Sequence, residues 1–421
     1  MIFKLNNNCL ITNKYNMTAF TLRRYFINLC FMINGLSYLE NNEIYNFVSF
    51  FKKFTLISKR FQMDFQEVLE RKKSIQKILL DFLENDSDIE ENYQKIISNL
   101  NDQKIRESQP ELKEFLYLLS KICKYHNRSN SFSSKMQQIL KSVQNDIKQT
   151  FSNSEIFDIF KSNKDILLFL FKEKIIVPDK SIIKEMKSDK YKPFQYNQFF
   201  SDFLNDKKVA SNDKSDDFEE NRKTGENDSY VCQLIRTDSI DQFISHVNKE
   251  NLSTSTEIET SLFETNLFLL KNKVTLIEYA AFFGSTQIFR YLYLNKAKIS
   301  PFLWNFAIHG SNPELINFMV ENKIKLNNNS YYDCIIESIK CHHVEMTNFI
   351  INNLYQKRKN DDSDFEIQSL KSHNYSFFQM DSNDKQVFYN LCKYNYPSIV
   401  SLLMKTKRIP INTKIISKKI F

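Results

Sequence analysis

The string IEYAAFFGSTQIFRYLYLN at 277–295 returns in altered form 27 residues later as WNFAIHGSNPELINFMVEN (304–322), and 31 residues after that as IIESIKCHHVEMTNFIINN (335–353). A further copy, FYNLCKYNYPSIVSLLMKT (388–406), and a degenerate early one, YVCQLIRTDSIDQFISHVN (230–248), extend the series. Small residues coincide at Ala280, Ala307 and Ser338. Apolar residues coincide at Ile288, Leu315 and Met346, then at Tyr291, Phe318 and Phe349. Asn295, Asn322 and Asn353 close the units. Apolar residues three apart share one helical face, so each copy is expected to be a short helix, a tight turn and a second helix. One such hairpin cannot bury both its helices, whereas stacked neighbours complete one another's cores. The fold expected is therefore all-α, a helical-hairpin solenoid. Four glycines and seven prolines in 421 residues agree, since closed barrels and glycine-rich α/β sites need more turn residues.

The string TLIEYAAFFG (275–284) resembles the ankyrin signature T-P-L-H-x-A-A-x-x-G through Thr275, Ala280, Ala281 and Gly284, and His343 falls where a His often follows the Gly. Leu276 stands in place of the Pro and Glu278 in place of the His, and the later copies lack the Gly at that register. The longer run from GENDSYVCQLIRTDSIDQFI through SLFETNLFLL to ESIKCHH resembles a divergent ankyrin-repeat family expanded in some protists. The resemblance spans roughly 63–404 and is most specific in 225–350. It implies ankyrin-like helical repeats, an N-terminal helical region of unassigned activity, protein binding, and no catalytic residues.

FDIFKSNKDILLFLFKEKI (157–175) matches FAIHGSNPELINFMVENKI (306–324) without a gap, with Asp158 at the small-residue position. Residues 63–204 are therefore read as an α-helical region that is partly a degenerate form of the same repeat. Its helix starts are marked by Asp88-Ile-Glu-Glu, by Pro110, by Ser131 or Ser133, and by Ser152 or Ser154. The hydrophilic stretch 205–228 reads as a charged linker. Residues 229–406 read as the repeats, with an insert at 356–384, and 407–421 as a basic tail. Residues 1–62 are rich in Asn, Phe, Tyr and Ile and lack Asp. They read as an extension upstream of a natural start at Met63.

The formal charge of +8 sits at the ends. Residues 1–62 carry eight Lys and Arg against Glu40 and Glu43, and 405–421 carry six with no acid, which leaves 44 basic and 48 acidic residues in 63–404. A slightly acidic body does not track phosphates, so nucleic acid is not the expected partner of the repeats. The basic ends keep nucleic acid or an anionic surface as the alternative. Seven scattered cysteines, an odd number, fit reduced thiols and a cytoplasmic protein, with the nucleus as the other compartment. No run approaches the ~18 apolar residues of a membrane helix.

The glycines are isolated, so no phosphate-cradling loop is present. There is no G-x-S-x-G elbow, and the six histidines fall on different units. Cys334, Cys341, His342 and His343 form the best metal-like grouping, but the repeat register puts 341–343 in a turn. There, packing and backbone hydrogen bonds account for them. No enzyme, metal or cofactor is expected. Trp304 is expected to pack in the core. The function expected is a non-enzymatic scaffold for other proteins. From register, its contact residues are Lys271, Asn272 and Lys273 before the first clear copy, Glu278 and Phe282 on its first helix, Asn305 and His309 on the next, and Lys340 on the third.

Overall fold

A computed structural model describes residues 65–125, 131–204, 216–326, 330–356, 361–378 and 384–405. The expectations for 1–62, for Met63 and for the tail 407–421 fall outside them. Among the described residues all regular secondary structure is helical and there is no strand; a single antiparallel bridge pairs Glu257 with Thr275. Two compact units are present. The larger is Ile78–Phe377, and the smaller includes 65–77, Phe378 and 384–405 among the described residues. The helices of 78–204 thus share a unit with the hairpins of 230–353, while the copy at 388–406 belongs to the other unit.

Four repeat copies in the larger unit are helix pairs: Tyr230–Arg236 with Ile240–Lys249, Leu276–Phe283 with Thr286–Leu294, Leu303–Gly310 with Pro313–Glu321, and Tyr332–Lys340 with Val344–Asn353. Each pair turns on one residue in the left-handed conformation: Asp238, Gly284, Ser311 and His342, with φ of 49°, 67°, 46° and 62°. That conformation ends a helix by turning the next N–H groups back onto its last carbonyls. Accordingly, the N–H groups of Ser239, Ser285 and His343 reach the carbonyls of Leu234, Ala280 and Ser338 at 3.0, 2.9 and 3.1 Å. Only one of the four residues is glycine, which is why the glycine pattern hides the repeat. The earliest copy is also one residue out of the register read from the sequence, since Asp238 and not Thr237 takes the left-handed place.

The second helices end alike. Asn251, Lys296 and Lys323 are left-handed, and the N–H groups of Leu252, Ala297 and Ile324 bond the carbonyls of Val247, Leu292 and Met319 at 3.0 Å. The hairpin Asn153–Phe160 with Lys164–Lys172 closes the same way: Lys174 has φ 53° and Ile175 bonds Leu170 at 2.9 Å. Ile175 and Ile324 are both buried. The likeness of 157–175 to 306–324 therefore extends to backbone geometry at the closing end. Asp158 is exposed, unlike the buried Ala307 at the matching position.

First helices lie side by side in the order Tyr230–Arg236, Leu276–Phe283, Leu303–Gly310, Tyr332–Lys340 and Asp361–Ser372. The last of these lies in the segment expected to be a hydrophilic insert. It buries Phe365 and Leu370 and ends at His373 with φ 53°, and Asn374 N–H bonds the Ser369 carbonyl at 3.0 Å. Ser369 follows Ser338 by the same interval that separates Ser338 from Ala307. The "insert" thus supplies another first helix, followed by a short 3-10 turn at Tyr375–Phe377 where a second helix would start. Ala280, Ala307, Ser338 and Ser369 are all fully buried, and small side chains there let adjacent helices approach. Ile288, Leu315 and Met346 are buried on their respective second helices in one continuous core.

Polar bonds join successive turns. Asn312 Nδ2 donates to the Gly284 carbonyl at 2.8 Å, Asn374 Nδ2 to Ile339 at 2.9 Å, and His342 Nε2 to Ser372 at 3.0 Å. Trp304 is buried as expected, with its indole N–H on the Ile324 carbonyl at 3.0 Å.

The stretch 205–228 is not an open linker where it is described. Asp216–Thr224 is helical, and the buried Arg222 guanidinium grips both oxygens of Asp202 at 2.8 and 2.9 Å, the Phe199 carbonyl at 3.1 Å and Glu219 at 2.6 Å. A buried cation needs this many acceptors to offset lost hydration. Lys164, also buried, donates to the carbonyls of Leu262 and Glu264 at 2.8 and 3.1 Å, which fastens the N-terminal helices to the segment preceding the second hairpin. In the smaller unit, Phe65 meets Phe378 edge-on at 5.9 Å, and the helices Asp384–Lys393 and Pro397–Lys405 turn on Asn395 with φ 65°.

Candidate functional site

The residues expected to meet a partner separate into two groups. Lys271, Asn272 and Lys273 are exposed at the end of the short helix Leu267–Lys271, and Asn305 is half-buried. Glu278, Phe282 and His309 are buried, so in this conformation they offer no surface to another protein. The cause is local. Glu278 turns back to cap its own helix, taking the Thr275 N–H and hydroxyl at 2.8 Å each. Phe282 and His309 are covered by Phe268, whose ring lies 6.1 Å from Phe282 and 4.1 Å from His309. Phe268 comes from SLFETNLFLL, which folds over the first-helix face.

Phe282, His309 and Lys340 instead converge on a buried polar cluster completed by Glu337 and Cys341. His309 Nε2 lies 3.0 Å from Glu337 Oε1, and Glu337 Oε2 accepts from Lys340 Nζ at 2.7 Å. Cys341 Sγ lies 3.4 Å from His309 Nδ1 and 3.7 Å from Nε2. His309 comes from Leu303–Gly310. Glu337 and Cys341, four apart, come from the neighbouring Tyr332–Lys340 and its C-terminal cap, so they share a face. Burial raises the Glu337 carboxyl, but its bonds to His309 and Lys340 outweigh that and hold it at about 2. Burial, with the Glu337 charge added, pushes the Cys341 thiol well above its ordinary value.

Thiol, imidazole and carboxylate stand here in the order of a cysteine nucleophile, its base and an orienting acid. Two properties oppose that chemistry. Cys341 has no exposed surface, and its thiol is driven away from the reactive thiolate. The grouping singled out from sequence does not assemble either. Cys341 turns toward His309, while His342 bonds the Ser372 carbonyl and Cys334 is buried with its thiol pushed up by burial to about 12. Glu337 was not singled out from the sequence. Its signal was present in the pairing of Glu337 and Cys341 on one helical face, but nothing in a linear reading aims His309 at them from the preceding hairpin.

The C-terminal end of helix Gln109–Tyr125 approaches this cluster. Burial raises the Tyr125 phenol, and the charges of Lys340 and Glu337 act on it. Tyr117, two turns earlier, stacks on His373 at 5.4 Å with rings 10° from parallel. Burial lowers the Lys121, Lys124 and Lys271 ammonium groups, Lys121 to about 8; like charges add to this, Lys124 acting on Lys121 and Lys271, and Lys340 on Lys124. A helix of the N-terminal region thus covers part of the row of first helices. Other large apolar side chains stay in solvent: Leu294 at 74% and Phe302 at 54%, on either side of the loop joining the second and third hairpins, with Phe349 and Tyr230 elsewhere.

No helix among the described residues is long and apolar enough to cross a membrane. Comparison with models of known families, with curated proteins and with solved structures finds no match to this chain.

Proposed function

We propose that this chain is a non-enzymatic scaffold, an ankyrin-like solenoid that binds other proteins through its loops and outer helices. The observation that carries this reading is the exposure of Leu294 and Phe302 at one inter-hairpin loop, alongside exposed Lys296, Lys298 and Pro301. Soluble surfaces tolerate scattered apolar residues, but large apolar side chains beside cationic ones on a rigid support suit a partner with an apolar patch and an acidic rim. The exposed Lys271–Asn272–Lys273 at the preceding loop extend the same reading. A standard interface takes ~20–30 residues a side, which a row of hairpins accommodates. The compartment favoured is the cytoplasm.

The test compares proteins captured from native cells by the unchanged chain, by Leu294→Asp with Phe302→Asp, and by Lys271→Ala with Lys273→Ala. Specific partners lost on substitution, with thermal melting unchanged, support the reading. Identical capture by all three overturns it. A second reading, binding of nucleic acid or an anionic surface, rests on the six cations and no acid of 405–421. It requires affinity that falls steeply with salt and disappears when 405–421 is deleted.

A further inference from the structure

The cluster of His309, Glu337 and Cys341 brings one nitrogen, one oxygen and one sulfur donor together, all buried, within 4.8 Å of one another. Among the described residues it is the group of this kind, and it joins two neighbouring hairpins. Zinc takes this donor set, with bonds of about 2.3 Å to sulfur and about 2.0 Å to nitrogen and oxygen at tetrahedral angles. Such bonds separate nitrogen from sulfur by about 3.5 Å and nitrogen from oxygen by about 3.3 Å. The observed separations are 3.7 Å for Nε2 to Sγ and 3.0 Å for Nε2 to Oε1. To receive an ion on Nε2, the Cys341 and Glu337 side chains must rotate, because Sγ lies nearer Nδ1, at 3.4 Å, and Oε1 holds the hydrogen-bonding place on Nε2.

We propose that His309 Nε2, Glu337 Oε1 and Cys341 Sγ form a zinc-binding site that clamps the third hairpin to the fourth. Thiolate, imidazole and carboxylate together suit zinc over magnesium or calcium, which prefer all-oxygen sites. Binding deprotonates Cys341, and that proton leaves to solvent. The imidazole proton, on Nε2 while it bonds Glu337, moves to Nδ1 so that Nε2 can take the metal. One Zn²⁺ enters and one proton departs. Lys340 is the competing cation, 2.7 Å from the other oxygen of Glu337. Its side chain is 28% exposed, so it can swing into water as the metal arrives. Phe268 and Phe282 pack against His309 and hold the imidazole in place, and water supplies the fourth ligand.

The experiment uses the full chain, freed of metal, and titrates zinc against a chromophoric chelator. Cobalt(II) then serves as the spectroscopic probe. One metal per chain is expected, with tetrahedral cobalt bands in the visible and a thiolate-to-cobalt charge-transfer band in the near ultraviolet. Cys341→Ser removes that near-ultraviolet band and weakens binding at least tenfold, as does His309→Gln. Lys340→Met strengthens binding severalfold, an effect that a purely structural hydrogen-bond network does not produce. Failure to bind stoichiometrically overturns the proposal, as does wild-type affinity in Cys341→Ser and His309→Gln. Should those variants not fold, the cobalt spectrum of the unchanged chain decides, since a spectrum without the thiolate band also overturns it.

Discussion

Asp238 sits in the turn of one hairpin and caps the second helix of the next, its two carboxylate oxygens taking the Gln287 and Ile288 N–H groups at 3.0 Å each. It holds the left-handed backbone of its own turn at the same time. A cap is worth about 0.5–2 kcal/mol, and alanine takes up that left-handed backbone less readily than aspartate. Asp238→Ala is therefore expected to lower stability by about 1–3 kcal/mol in denaturant unfolding. Asp238→Asn, which tolerates the turn and keeps one acceptor, is expected to lose less than half of that.

Gly310 is the last residue of its helix, and alanine is normally preferred to glycine within helices by up to about 1 kcal/mol. Here a Cβ would stand 2.4 Å from the Ala281 carbonyl oxygen of the neighbouring first helix. Overpacking dominates, and Gly310→Ala is expected to destabilise by about 1–3 kcal/mol. A stabilised variant in thermal melting would refute the close approach of these two helices.

Trp304 is the single tryptophan and is buried, so its emission is expected to be blue-shifted in the folded protein and to report unfolding. Trp304→Phe retains an aromatic ring against Tyr331, which it meets edge-on at 5.3 Å, but strands the Ile324 carbonyl. A loss of about 1–3 kcal/mol is expected. An unchanged midpoint in guanidinium, followed by circular dichroism, would count against the indole bond.

Burial lowers the Lys164 ammonium from its ordinary 10.5 to about 7, against the opposing charges of Glu264 and Asp165. Above pH 10.5 the group is neutral in folded and unfolded chains alike. As pH falls from there, the unfolded chain takes up a proton that the folded chain resists. Stability is therefore expected to fall between about pH 10.5 and 7 and to level off below. Lys164→Met should flatten that slope, and an identical pH profile in this variant would exclude Lys164 as its source.

Repetition made the helical hairpins legible, because packing selects the same residue types at Ile288, Leu315 and Met346 and at Ala280, Ala307 and Ser338 whenever the same environment recurs. The unit at 361–372 was not legible. It is rich in acids, and only Ser369 and His373 mark its register, through backbone geometry that non-glycine residues can also adopt. The left-handed turns hid for the same reason, since Asp238, Ser311 and His342 do what glycine does at 284.

By itself, the sequence determined that this chain builds paired helices and roughly where each begins, since periodicity and small-residue spacing are local properties. Only the tertiary structure decided which faces remain open. Phe268 covers Phe282 and His309, Arg222 anchors part of the presumed linker, and Lys340 is held by Glu337, because burial depends on segments far apart in the chain. The meeting of His309 with Glu337 and Cys341 has the same origin: donors on separate hairpins become neighbours only when those hairpins stack.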